Sequence, residues 1–106
     1  SVNGTATQLP NEFKLNQNYP NPFNPNTVIS FNIPQDLKGQ SSDVKLVVYD
    51  MNGREVKTII SQKLIPGIYN YDFGGNGLPS GVYFYKLSVT KGNDFYSDTK
   101  SMILLK

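Results

Sequence analysis

"DVKLVVYDMNGREVKTII", residues 43–60, is the stretch whose reading decides the fold. Its first part, "DVKLVVYD" (43–50), puts Val44, Leu46 and Val48 on one side of an extended chain, because successive side chains of a strand point to opposite faces. "DMNG" (50–53) has the composition of a tight turn, with Gly53 free to adopt positive φ. "REVKTII" (54–60) follows as the returning partner strand. The unit is a β-hairpin, and it predicts a chain of short strands and turns.

The same pattern extends in both directions. Upstream, "TVISFNI" (27–33) sets Ile29, Phe31 and Ile33 on one face and Val28, Ser30 and Asn32 on the other. Pro34 ends it, having no N–H to give to a ladder. "EFKLN" (12–16) is expected as a short edge strand. Downstream, "LIPG" (64–67) predicts a type II turn, and "IYNYDF" (68–73) groups Tyr69, Tyr71 and Phe73. "GGNGLPSG" (74–81) is a glycine-rich crossing. "VYFYKLSVT" (82–90) is the longest strand, with Tyr83, Tyr85, Leu87 and Val89 expected to face in. "KGND" (91–94) turns the chain, and "FYSDTKSMILLK" (95–106) is the last strand. About seven strands, with turn signals roughly every ten residues, predict an all-β fold: an immunoglobulin-like antiparallel β-sandwich with Greek-key wiring.

A chain of 106 residues suits one domain. Residues 1–12, "SVNGTATQLPNE", are polar and lack periodicity, and read as a linker from an upstream domain. That leaves 13–106 as the sandwich. Between linker and first long strand lies "NYPNPFNPN" (18–26). Pro20, Pro22 and Pro25 fix their own φ and push Tyr19, Asn21 and Asn24 toward extended conformations. A stiff segment loses less entropy on docking than a flexible one. It is expected to lie as a clasp over an edge or open end of the sandwich, with Tyr19 and Phe23 as anchors. The same rigid surface also serves a second reading, as a recognition epitope.

Chemistry is constrained by what the composition lacks. With no histidine and no cysteine, the usual general bases, thiol nucleophiles and thiolate metal sites are gone. Ser80 in "LPSG" lacks a strand-to-helix elbow and reads as a turn residue. "GGNG" (74–77) lacks the helix and lysine of a phosphate loop. The acids sit mostly at turns and strand ends, where they bond backbone amides. A calcium ion held by Asp72, Asn76 and carbonyls is the one metal alternative. The seven tyrosines read as core aromatics, with a sugar-stacking platform as the alternative. A net charge of +2, with Arg54 the sole arginine, does not point to nucleic acid. The expectation is a non-catalytic module without cofactor or metal, able to form a weak dimer through an exposed sheet edge.

Four stretches, in order, resemble one family. "NQNYPNPFNPNTVISFNIP" (16–34), "VKLVVYDMNGREVKTI" (44–59), "LPSGVYFYKL" (78–87) and "KSMILLK" (100–106) are similar to the opening, central hairpin, late strand entry and closing strand of the type A C-terminal sorting domains of type IX secretion (Por secretion) cargo. The resemblance implies an immunoglobulin-like domain that directs an attached cargo from the periplasm across the outer membrane, to the cell surface or the medium. It implies two partners: the outer-membrane translocon and a sortase-like peptidase that removes the domain by cutting upstream of it. By position, the recognition candidates are Tyr19, Pro20, Asn21, Pro22 and Phe23; Gly53, Arg54 and Glu55; Leu78, Pro79 and Gly81; and, in the tail, Lys100, Met102, Leu104 and Lys106. The terminal strand is expected to offer its edge to a partner sheet. The competing readings are a carbohydrate-binding module and a structural immunoglobulin-like spacer of a secreted multidomain protein.

Overall fold

The computed structural model describes residues 12–35 and 41–106; most of the expected linker, residues 1–11, lies outside the described residues. The strands are β1 (Lys14–Leu15), β2 (Asn26–Ile33), β3 (Ser42–Tyr49), β4 (Glu55–Leu64), β5 (Gly67–Gly74), β6 (Gly81–Lys91) and β7 (Asp94–Leu104), with no helix among the described residues. They form a three-stranded sheet in the order β1-β2-β5 and a four-stranded sheet in the order β4-β3-β6-β7, every pair antiparallel. The chain changes sheet after β2, β4 and β5, which gives the Greek-key wiring of an immunoglobulin-like sandwich.

Alternation in the sequence becomes the core. Ile29, Phe31 and Ile33 of β2, Val44, Leu46 and Val48 of β3, and Tyr83, Tyr85, Leu87 and Val89 of β6 are all buried. Met102 and Leu104 of β7, Phe73 of β5 and Leu15 of β1 complete the layer between the sheets. Val47 is buried as well, between two register shifts in the β3–β4 ladder. Tyr69 and Tyr71 flank Phe31 with near-parallel rings, centroids 5.6 and 5.8 Å away, and stay half-buried because β5 is the sheet edge.

Two expectations need correction. "LIPG" is not a type II turn, since Gly67 is not in the positive-φ region; it already belongs to β5 and pairs with Ile33, which demands extended backbone. Tyr19 does not anchor the clasp with its ring, which is 81% exposed. Its backbone does that work: Tyr19 and Val28 exchange N–H···O bonds of 3.0 Å in each direction, and Phe23 alone takes the core position. In β7, alternation divides the apolar residues between core and surface. Met102 and Leu104 are buried inside, and only Ile103 and Leu105 remain outside, at 39% and 49% exposure.

Candidate recognition surface

One pole of the sandwich gathers most of the residues singled out in the sequence. Register places the start of β2 beside the end of β5 (Asn26 with Gly74) and the start of β6 beside the end of β7 (Gly81 with Leu104). In the same region β3 ends and β4 begins (Tyr49 with Glu55), next to Phe84 of β6. The clasp closes this pole. Phe23 is 1% exposed and meets Phe73 edge-on at 6.0 Å. Its N–H donates to the Ile103 carbonyl (2.9 Å) and its carbonyl accepts from the Leu105 N–H (2.9 Å), a short parallel bridge onto β7.

Side chains extend that bridge. The Asn21 Oδ1 accepts from the Ile103 N–H at 3.0 Å, and the Gln17 Nε2 donates to the Ser101 carbonyl at 2.7 Å. Phe23, Asn21 and Gln17 therefore occupy outward peptide groups of β7 from Ser101 to Leu105. On its other flank the clasp is tied to the three-stranded sheet. Asn18, 2% exposed, donates from Nδ2 to the Thr27 Oγ1 (3.0 Å) and the Pro20 carbonyl (3.1 Å), and the Thr27 hydroxyl donates to the same carbonyl (2.8 Å). Most buried polar groups in folded proteins are hydrogen-bonded, and these partner one another. Tyr85 joins clasp to core: its hydroxyl accepts from the Asn18 N–H (2.8 Å) and donates to the Asn16 carbonyl (2.7 Å). Burial pushes this phenol up to about 12, against the opposing backbone bond from Asn18.

Two turns complete the pole. In the β3–β4 turn Gly53 has φ +80° and donates to the Asp50 carbonyl (3.0 Å), as the composition predicts. The Asp50 carboxylate accepts from the Asn52 N–H (2.8 Å) and the Arg54 N–H (3.0 Å). The bond from the Arg54 amide is the largest cause holding Asp50 below the usual carboxylate range. The Arg54 guanidinium pairs with that carboxylate at 3.5 Å and stays largely solvated, so the pair contributes little. In the β5–β6 crossing, Leu78 donates to the Gly75 carbonyl (3.0 Å) and the Tyr83 hydroxyl donates to the Pro79 carbonyl (2.6 Å). Gly75 is forced by contact: a Cβ there would stand 2.8 Å from the Leu104 methyls.

Tyr19 to Phe23, Gly53 to Glu55, Leu78 to Gly81, Met102, Leu104 and Lys106 thus fall at one end, with Met102, Leu104 and Phe23 inside it and the others at its surface. Lys100 is set apart, half-buried and paired with Tyr85 farther along β7. Beside the turn, Tyr49, Met51, Gly53 and Phe84 line a shallow hollow of about 230 Å³, and Met51 is 70% exposed. Gln17, Asn18, Thr27 and the Tyr85 hydroxyl were not singled out from the sequence. The available signal was Thr27, a polar residue on the inward parity of Ile29, Phe31 and Ile33.

Among the described residues no three His, Cys, Asp or Glu side chains converge. Four of the seven tyrosines are taken up by packing: Tyr83 and Tyr85 are buried, and Tyr69 and Tyr71 lie against Phe31. No curated protein and no solved structure matches the chain. A family model, the secretion system C-terminal sorting domain, matches residues 17–103, from the first clasp residue bonded to β7 to the strand that the clasp holds. With that match spanning both sheets and the clasp, the chain belongs to the secretion system C-terminal sorting domain family.

Proposed function

We propose that this domain is a type A, non-catalytic sorting signal and that the type IX translocon reads it at the clasped pole. A domain of this family directs an attached cargo across the outer membrane, to the cell surface or the medium. Supporting the pole as the surface read is the meeting there of four stretches that are far apart in sequence: the clasp, the "NGRE" turn, the "LPSG" turn and the tail. Such a surface exists only once the sandwich has folded, so it reports folding as well as identity. The exposed side chains Tyr19, Pro22, Arg54, Glu55, Ile103 and Leu105 are what a receptor touches. Where a sortase-like peptidase removes the domain, its cut falls in or before residues 1–12.

A reporter carrying residues 1–106 at its C-terminus tests this. In a host with the translocon the reporter reaches the surface or medium; without it, the reporter stays in the periplasm. Arg54→Ala with Leu105→Ser, both at exposed positions, lowers export several-fold at unchanged melting temperature. Asp94→Ser at the opposite pole does not. Full export of the double variant removes the pole as the surface read, and no export of the parent fusion removes the sorting assignment for this chain.

A further inference from the structure

A sandwich has sheet edges, and exposed edges invite pairing unless they are blunted. This molecule has four: β1, β5, β4 and β7. β1 is only two residues long and runs into the clasp. β7 is held by the clasp from Ser101 onward, and the Thr99 N–H is capped by the Asp98 carboxylate at 2.9 Å. β4 carries two register shifts, which twist an edge away, and the lysines Lys57 and Lys63. β5 has none of these devices. Its eight residues pair with β2 in unbroken register, it contains no lysine, arginine or proline, and no described strand lies on its far side.

The direction of its free groups follows from the ladder. Gly75 donates to the Pro25 carbonyl (2.7 Å), and antiparallel hydrogen-bonded pairs recur at every second position, so Tyr69, Tyr71 and Phe73 bond to β2. The peptide groups of Ile68, Asn70, Asp72 and Gly74 therefore point away from β2. We propose that this edge docks a second copy of the same chain, the two β5 strands pairing antiparallel about a two-fold axis at Tyr71. In that register Asn70 lies opposite Asp72 of the second copy, an amide beside a carboxylate. Tyr69 lies opposite Phe73, Tyr71 opposite itself and Ile68 opposite Gly74. Aromatic cross-strand pairs are favourable, and all outward groups from Ile68 to Gly74 are used. Sliding the strands to centre on Asp72 sets two carboxylates face to face. Sliding them to centre on Asn70 sets Ile68 against Asp72 and leaves Gly74 unpaired. Strand composition thus selects one self-complementary register, which is what argues for a like copy over an unrelated strand.

An eight-residue edge buries less than the ~1,200 Å² of a standard interface, so the dimer is weak and reversible. Antiparallel pairing points the two clasped poles in opposite directions and leaves both open, so this inference and the sorting role stand or fall separately.

The chain has no cysteine, so one introduced thiol reports on one position. A non-hydrogen-bonded pair brings Cα atoms to about 4.5 Å, within disulfide range. In the 106-residue chain, Tyr71→Cys under mild oxidation forms a covalent dimer about tenfold faster than Thr58→Cys on the β4 edge, reflecting local concentration. Adding Ile68→Lys to Tyr71→Cys abolishes the difference. In the unsubstituted chain, which removes any doubt over folding of the variants, exchange of the Ile68, Asn70, Asp72 and Gly74 amides slows as protein concentration rises, while that of the β4 edge amides does not. Equal cross-linking at both positions, or β5 amides indifferent to concentration, overturns the proposal. Amides that slow only when an unrelated extended peptide is added also overturn it, and assign the edge to a foreign strand.

Discussion

Tyr85 is the residue through which the clasp acts on the core. Its ring fills the layer between the sheets, fully buried, and its hydroxyl satisfies an N–H and a carbonyl of the incoming chain. Tyr85→Phe keeps the ring and orphans both backbone groups, which costs about 1–3 kcal/mol at neutral pH. The phenol also gives the domain an alkaline limit. Its folded-state pKa, raised to about 12 chiefly by burial, lies above the value near 10 expected of an unfolded tyrosine. A group so raised contributes its full stability below pH ~10 and loses it progressively between ~10 and ~12, a loss of roughly 2–3 kcal/mol. Urea unfolding of parent and Tyr85→Phe at pH 9 and pH 11.5 measures this. The parent leads at the lower pH and the gap narrows at the higher one; a gap independent of pH means that the phenol does not titrate with folding.

At the scale of elements, the clasp behaves as a strand made partly of side chains. It cannot form a regular ladder, because Pro20, Pro22 and Pro25 lack the N–H, so Asn21 and Gln17 supply the missing bonds to β7. Asn21→Ala frees the Ile103 amide, and its hydrogen exchange is then expected to quicken about fivefold, as a bond worth ~1 kcal/mol is lost. The Leu105 amide, bonded to the Phe23 carbonyl, stays protected in the same variant. Loss of protection at both positions means that Asn21 holds the whole clasp and not one bond. The strands themselves were legible in the sequence because alternation is a local property: each residue of "TVISFNI" declares its face through its neighbours. What the clasp does was not legible at that range. Asn18 meets Thr27 and Tyr85, and Gln17 meets Ser101, across separations that no local pattern encodes. Tyr19 misled for a related reason. Aromatic residues favour burial, but its backbone bridge to Val28 fixed the position and left the ring outside. The turn at 64–67 misled because composition cannot tell whether a glycine after proline finishes the turn or opens the next strand.

For the whole molecule, the clasp and the tail are one structure, and this decides how the tail can be tested as a signal. Phe23 from near the start and Leu104 from near the end sit side by side in the core, joined by a parallel bridge. Removing residues 102–106 takes out Met102 and Leu104, both fully buried, at about 2–5 kcal/mol each. Against a typical total of 5–15 kcal/mol, that is enough to unfold a domain of this size. Loss of export after such a deletion would report unfolding as much as loss of a signal. Removing only Leu105 and Lys106 forfeits one backbone bond to Phe23, about 1 kcal/mol, and two exposed side chains. The short truncation is therefore expected to keep a cooperative thermal transition within a few degrees of the parent, and the long one to lose it; circular dichroism on both separates them. If the short form stays folded and its cargo stops in the periplasm, the two residues that follow β7 are part of what the translocon reads. If the short form is exported like the parent, the signal lies in the turns and the clasp, and the tail serves only to close the pole on which they sit.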